Sequence, residues 1–123
     1  MDSLKLTYSM IKSEWNDFFV GSPTHEHKGS LSRFSLSSDG AYINNALFQN
    51  LGGSSNGGAI YCSSVSVNVL IEETLFIYCT TSEYGGALYL QISGECIISK
   101  VCGTRCITTS QYCHFSYISV TAY

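Results

Sequence analysis

An internal repeat with a 28-residue period is the feature that most constrains this chain. The sequence Gly-Gly-Ala-Ile-Tyr at residues 57–61 returns as Gly-Gly-Ala-Leu-Tyr at residues 85–89, 28 positions later. A Leu-Phe pair at residues 47–48 returns at residues 75–76, at the same interval although it lies outside the glycine motif. Two independent landmarks with one period predict an array in which each repeat buries its apolar side against its neighbours.

The local spacing of apolar residues predicts that the repeats are built from strands. Val65, Val67 and Val69 alternate with Ser66 and Asn68, which is the period of a β-strand. Short strands separated by Gly, Ser and Asn turns can bury their apolar sides only by stacking in register, about 4.8 Å apart. We therefore expect an all-β fold, a right-handed parallel β-helix of about four 28-residue coils.

Each recurrent residue has a mechanical role in this predicted fold. The glycines lie where the chain turns with positive φ, and the alanines that follow fit a narrow inward position. The aliphatic residues and phenylalanines fill apolar columns, and the tyrosines stack on the opposite face of the strand. The predicted structural residues are Gly57, Gly58, Ala59, Gly85, Gly86, Ala87, Leu47, Phe48, Leu75, Phe76, Tyr61, Tyr89 and Tyr117.

A phosphate-binding loop is the alternative interpretation of the Gly-Gly-Ala segments. Such loops lead into a helix and carry a lysine or an acidic partner at a fixed spacing. Neither feature is present, so the stacking role is favoured.

Extension of the 28-residue register beyond the landmarks gives further predicted columns. Backwards, it places Gly29 in the first glycine column and Trp15 under Ile43. Forwards, it aligns Ile97 with Val69, although Leu75-Phe76 would be followed by Gly103-Thr104, which breaks the pattern. We expect one domain over residues 1–123, a fragment of a longer protein, with a less regular first coil at 1–28 and regular repeats at 29–118.

Composition excludes several classes of partner. The chain has a net charge of −3 and a pI of about 5.4, so it lacks the basic surface that holds phosphate backbones. There is no run of about 18 apolar residues that could span a membrane as a helix. The first twelve residues are too short and too polar for the core of a signal peptide. We expect no nucleic-acid partner, no transmembrane segment, and no signal peptide or anchor in this chain.

The six cysteines leave two interpretations open. An even number suits disulfides in an extracellular protein, whereas the lack of any Cys-x-x-Cys weakens a zinc site. The separation of Cys79 and Cys106 is one position short of the period, which places them on adjacent coils within disulfide reach. The offset of one residue is an argument against this pair, because it aims the two side chains apart. Cys62 shares a column with Phe34, Leu90 and Ile118, which predicts a buried free thiol. The candidate disulfide partners are Cys79, Cys96, Cys102, Cys106 and Cys113.

Charged and histidine side chains give weak signals of chemistry. His25-Glu26-His27 aligns with turns of the later coils, so a solvated loop is favoured over a pair of metal ligands. Glu72 aligns with Asn44 and Lys100, which predicts a cross-coil ion pair and an asparagine ladder rather than a catalytic face. We expect no catalytic residues, no metal and no cofactor.

The repeat resembles a known family. The Gly-Gly-Ala-Ile motif and the neighbouring Leu-Phe-Gln-Asn at residues 47–50 resemble the polymorphic outer-membrane protein family, whose passenger regions are right-handed β-helices. Residues 94–106 and 115–117 look more like that family's relatives in parasitic protists. The resemblance covers residues 39–118, but the family's Phe-x-x-Asn motif is not met, because Asn50 follows Phe48 by two positions. It implies a cell-surface or secreted protein with an adhesin-like role.

The sequence thus predicts a non-enzymatic β-helix module with a binding or structural role. Its partner would be a host protein, a glycan or the neighbouring coils of a longer chain. Turns at residues 21–28, 52–56 and 80–84 would carry specificity, as loops on a rigid scaffold usually do. The alternative is a fragment of a carbohydrate-active β-helix enzyme, similar to pectate lyases, that uses Glu72 and Glu73.

Overall fold

The computed structural model describes residues 15–23, 25–36, 39–53, 55–109 and 114–120. These residues contain one turn of 3₁₀ helix, Trp15–Asp17, and eleven strands. The strands are β1 His25–Leu31, β2 Phe34–Ser35, β3 Asp39–Gln49, β4 Gly52–Gly53, β5 Ile60–Val65, β6 Val67–Ile77, β7 Thr80–Thr81, β8 Leu88–Ile92, β9 Cys96–Thr104, β10 Ile107–Thr108 and β11 Ser116–Val120. The predictions that concern residues 1–12, Tyr112 and Cys113 lie outside the described residues.

The strands form three parallel sheets, so the predicted all-β fold is confirmed. The first sheet has the order β1-β3-β6-β9, the second β4-β7-β10, and the third β2-β5-β8-β11. From β3 onward the chain enters the first, second and third sheet in turn, so that neighbours in each sheet are three strands apart in sequence. A tandem repeat produces this arrangement naturally, because equivalent segments run in the same direction and pair with one another.

The 28-residue period is the register of the central strands. Leu47 pairs with Leu75 between β3 and β6, and Tyr61 pairs with Tyr89 between β5 and β8. The pairing of Tyr89 with Tyr117 between β8 and β11 keeps the same offset. Like side chains therefore lie above one another along the stack.

The register is 27, not 28, where β6 meets β9 and β7 meets β10. Leu70 pairs with Ile97 and Thr80 with Ile107, so the predicted alignment of Val69 with Ile97 is wrong by one position. The cause is an extra residue in β5, where the pairing with β8 shifts between Ser63 and Val65. Such a bulge adds one unpaired residue to one strand, so the pairs that follow it are one position closer in sequence.

The backward extension of the repeat is also wrong. Gly29 pairs with Ala46 rather than entering the glycine column, and Phe34 pairs with Ile60, so it does not share a column with Cys62. The first coil is shorter because only residues 32–33 separate β1 from β2, without a strand of the second sheet between them. Trp15, instead of lying under Ile43, belongs to a small separate cluster with Phe19 and Leu70.

One apolar core is shared by the three sheets. Ile43 and Ile71 of the first sheet, Ile60 and Leu88 of the third, and Cys79 beside the second all belong to it and are fully buried. The rings of Phe48 and Phe76 stack within it, with centroids 5.0 Å apart and planes 7° from parallel. Full burial of an aliphatic or phenylalanine side chain contributes about 1.5–3 kcal/mol, so these columns dominate the stability of the fold.

Residues with positive φ recur at equivalent positions of successive repeats. Gly57 and Gly85 have φ of 70° and 69°, as the sequence predicts for a sharp turn. Two further columns have positive φ without glycine: Asn45, Glu73 and Lys100, and Asn50, Tyr78 and Arg105. Residues other than glycine are uncommon at positive φ, and for this reason the sequence pattern gave no sign of these two columns.

Gly58 has a different role from Gly57, because it allows close backbone approach. A Cβ added to Gly58 would clash with the carbonyl oxygen of Gly86 and lie 2.8 Å from that of Thr80, whereas one added to Gly53 would meet nothing within 4 Å.

We expect Gly58→Ala to lower the free energy of unfolding by about 3 kcal/mol and Gly53→Ala to change it by less than about 0.5 kcal/mol. Urea unfolding of both variants measures this, and equal losses would contradict the close stacking of the coils.

Candidate functional site

A ladder of three tyrosines lies on the outer face of the third sheet. The rings of Tyr61 and Tyr89 stack with centroids 5.4 Å apart and planes 14° from parallel, and those of Tyr89 and Tyr117 with 4.8 Å and 10°. All three side chains are half-buried. Because the rings stack face to face, the ladder presents mainly ring edges and hydroxyl groups to solvent. We call Tyr61, Tyr89 and Tyr117 the tyrosine ladder.

Polar side chains beside the ladder hold its middle ring in place. The hydroxyl of Tyr89 donates to Oε1 of Gln91 at 3.3 Å, and the hydroxyl of Ser63 donates to the same oxygen at 3.2 Å. The Tyr89 bond lies within β8, and the Ser63 bond links β5 to β8, so the middle ring of the ladder is held at its hydroxyl as well as on its faces.

A groove with a volume of about 490 Å³ adjoins Tyr61 at the end of the ladder. Its lining comes from three separate segments and consists of Arg33, Ser35, Ser55, Asn56, Tyr61 and Glu83. Arg33 is fixed by two hydrogen bonds, from Nε to the carbonyl oxygen of Gly57 at 2.7 Å and from Nη2 to that of Asn56 at 2.8 Å. Its guanidinium carbon lies 5.8 Å from the centroid of the Tyr61 ring, within the range of a cation–π contact.

Two of the three predicted specificity turns contribute to this groove. Residues 52–56 supply Ser55 and Asn56, and residues 80–84 supply Glu83. The side chains that the structure describes within residues 21–28 supply none of its lining. The expected solvated loop at His25-Glu26-His27 is wrong, because these residues lie in β1 and pair with Ala41, Tyr42 and Ile43. Sequence reasoning missed Arg33 and Ser35, since the irregular first coil gave no register for them.

A second polar cluster lies on the outer face of the first sheet. Glu72 is 2% exposed, and its Oε2 has no hydrogen-bond partner among the described residues. Its Oε1 accepts a long hydrogen bond of 3.4 Å from the hydroxyl of Tyr42. Asn44, the register partner of Glu72, donates through Nδ2 to Oε2 of Glu26 at 2.9 Å. Two residues of β3 thus contact a carboxylate on each side: Asn44 bonds to Glu26 of β1, and Tyr42 bonds to Glu72 of β6.

The predicted ion pair of Glu72 with Lys100 is wrong. The 27-residue register pairs Glu72 with Ser99, so Lys100 takes the corner position equivalent to Glu73. The asparagine ladder is replaced by a bond between neighbours, in which Asn45 Nδ2 donates to Asn44 Oδ1 at 3.1 Å. Glu72 thus lacks the cation that the sequence assigned to it.

The five cysteines within the described ranges are free thiols, and the disulfides stay a prediction. Cys62 is fully buried, as its column indicated, and burial raises its pKa to about 11. Burial raises the pKa of Cys96 to about 11 as well, with a smaller contribution from Cys62. A hydrogen bond between the thiols of Cys79 and Cys106 raises the pKa of Cys79, with burial acting in the same direction, and lowers that of Cys106.

The thiols and histidines do not assemble into a metal site in the described part of the chain. No group of three or more His, Cys, Asp or Glu side chains with the arrangement of metal ligands occurs in residues 15–23, 25–36, 39–53, 55–109 and 114–120. In the same residues, no helix is long and apolar enough to cross a membrane.

Comparisons with known proteins give no match. No family model, curated protein or solved structure matches this chain. The resemblance to the polymorphic outer-membrane protein family therefore stays a prediction from the sequence.

The tyrosine ladder is expected to make stability fall in alkaline solution. Burial raises the pKa of Tyr89, and the neighbouring tyrosines add to the shift. The folded chain then keeps a proton that the unfolded chain releases, so the stabilisation is lost as the pH rises through the folded pKa. We expect Tyr89→Phe, which cannot ionise, to lose less stability than the wild type between about pH 8 and about pH 11.

Urea midpoints across this range measure the effect, and Tyr78→Phe, at an exposed tyrosine outside the ladder, serves as the control. Cys62 and Cys96 leave part of the alkaline loss in all variants, since burial raises their pKa too. Equal pH dependence in Tyr89→Phe and the wild type would contradict the role of the ladder.

Proposed function

We propose that the three sheets close into a right-handed parallel β-helix that acts as a non-enzymatic binding module of a surface or secreted protein. The strand order supports the coil, because each sheet takes every third strand from β3 onward. The core shared by all three sheets supports closure. The right hand is supported by the strong preference of parallel strand crossovers, about 98% of which are right-handed.

The groove at the end of the tyrosine ladder is the observation that carries the binding role. It joins a ring held in place by Arg33 to hydroxyl, amide and carboxylate side chains from three successive repeats. Such a set of hydroxyl, amide and charged groups around the ring edge of Tyr61 suits a ligand that carries many hydroxyl groups. A glycan has this chemistry.

The groove favours a neutral glycan over an acidic glycan or a protein. Arg33 and Glu83 supply opposite charges, and two of the Arg33 donors are already used by backbone carbonyl groups. None of the six lining residues is aliphatic, whereas protein interfaces depend on desolvated apolar and aromatic anchors. The cell-surface or secreted setting is supported only by the family resemblance.

Replacement of Tyr61 tests the proposal. An array of neutral and acidic glycans identifies a ligand, and calorimetric titration with that ligand measures its affinity. We expect Tyr61→Ala to weaken binding of a neutral glycan about tenfold, equivalent to about 1.4 kcal/mol, since it removes the ring beside the groove.

Tyr78→Ala is the matched control for this experiment. Arg105 lies over the Tyr78 ring, with its guanidinium carbon 5.4 Å from the centroid, so this pair repeats the Arg33–Tyr61 contact outside the groove. Tyr78→Ala should bind the glycan as the wild type does. Absence of glycan binding, or equal losses in both variants, would contradict the proposed site.

A carbohydrate-active enzyme is a second candidate function, favoured by the buried carboxylate of Glu72, whose Oε2 has no hydrogen-bond partner among the described residues. A buried carboxylate that is only partly hydrogen-bonded is costly, and such groups often serve as general acids or bases. Glu26 supplies a second carboxylate two strands away, about 10 Å by strand spacing, near the upper end of the ~6.5–9.5 Å found in inverting glycosidases. Glycan cleavage that is lost in Glu72→Gln but kept in Glu73→Gln would favour this candidate over the binding module.

A further inference from the structure

Cys79 and Cys106 occupy equivalent positions on adjacent coils. Each directly precedes a two-residue strand of the second sheet, β7 and β10, in which Thr80 pairs with Ile107. The amide of Ile107 donates to the carbonyl oxygen of Cys79 at 3.1 Å, which continues the parallel pairing back to the cysteines. The extra residue in β5 changes the offset of the strands that follow to 27, and this offset brings the two cysteines into register.

The two thiols also have the same surroundings. Cys79 Sγ lies 3.5 Å from the carbonyl oxygen of Phe48, and Cys106 Sγ lies 3.3 Å from that of Phe76. Phe48 and Phe76 are register partners, so the two side chains point in the same direction from adjacent strands. The two thiols also shift each other's pKa, upward for Cys79 and downward for Cys106, as expected of neighbouring groups.

This geometry is close to that of a disulfide. Adjacent strands are about 4.8 Å apart, within the Cα separation of about 4.4–6.8 Å that disulfides need. The Cβ atoms must approach to about 3.8 Å, which requires a small shift. The other cysteines of the described residues lack this register: Cys62 pairs with Leu90, Cys96 with Val69 and Cys102 with Leu75.

We propose that Cys79 and Cys106 form a reversible disulfide that fastens the coil of β9, β10 and β11 to the coil before it. These three strands are the last members of their sheets, with a pairing partner on one side only among the described residues. Edge coils of a repeat array open most readily, because each repeat is held only by its neighbours. Such opening gives an oxidant access to thiols that are 0% and 7% exposed in the closed coil.

The oxidant in this reaction is a small disulfide such as oxidised glutathione. One cysteine thiolate attacks a glutathione sulfur, which forms a mixed disulfide and releases one glutathione thiolate. The second cysteine then attacks the cysteine sulfur of the mixed disulfide and releases the other. Two cysteine thiols are oxidised, one glutathione disulfide is reduced to two glutathione thiols, and the two cysteine protons pass to the released thiolates.

The bond is tested on the full chain incubated in reduced or oxidised glutathione. After free thiols are blocked with N-ethylmaleimide, a non-reduced peptide map should contain a Cys79–Cys106 linked peptide only in the oxidised sample. The oxidised protein should also unfold on the order of 10 °C higher, because the cross-link restricts the unfolded chain. Dithiothreitol should reverse both changes.

Two variants complete the experiment. Cys62→Ala removes a buried thiol outside the pair and should keep the linked peptide, whereas Cys106→Ala should lose both the peptide and the redox dependence of the melting temperature. If Cys106→Ala does not fold, the peptide map and the melting shift of the wild type still decide the outcome. Folded wild type without the linked peptide, or linked equally to Cys62 or Cys96, would overturn the proposal. The inference does not depend on the proposed glycan binding.

Discussion

In-register stacking of equivalent segments is the interaction on which the rest of the structure depends. Backbone hydrogen bonds between parallel strands set the distance between coils, and this distance brings like side chains into contact. Phenylalanine rings stack inside, tyrosine rings stack outside, and glycine allows the coils to approach where any Cβ would clash. No single coil could keep these residues buried alone, so stability belongs to the stack rather than to its units.

The sequence predicted the central part of this fold because two landmarks recur at one interval. The Gly-Gly-Ala turns and the Leu-Phe pairs fix the 28-residue register of β3 with β6 and of β5 with β8. The change to 27 could not be read from the sequence, because the bulge near Ser63 uses an ordinary serine-rich strand. The first coil could not be read either, since its missing strand removes the landmarks that define the period.

The candidate site was predictable from the sequence only where its residues belong to the regular repeats. The tyrosine ladder follows from the register, and Glu83 lies in a turn that the repeat marks as variable. Arg33 was missed, although it fixes the ring at the end of the ladder, because it comes from the irregular coil. The same error of one position hid the alignment of Cys79 with Cys106 and gave Glu72 a false partner in Lys100. A single bulge thus separates the sequence prediction from the chemistry of two sites, the cysteine pair and Glu72.

The register of the coils is tested most directly by nuclear Overhauser effects between backbone protons of residues on neighbouring strands. Parallel stacking predicts contacts between Tyr61 and Tyr89, which are one full period apart, and between Leu70 and Ile97, which are one position closer in sequence. Observation of both sets in one sample would support the stacked coils and the change of register. Contacts between Leu70 and Ile98 instead, or an antiparallel pattern at the tyrosines, would contradict the account.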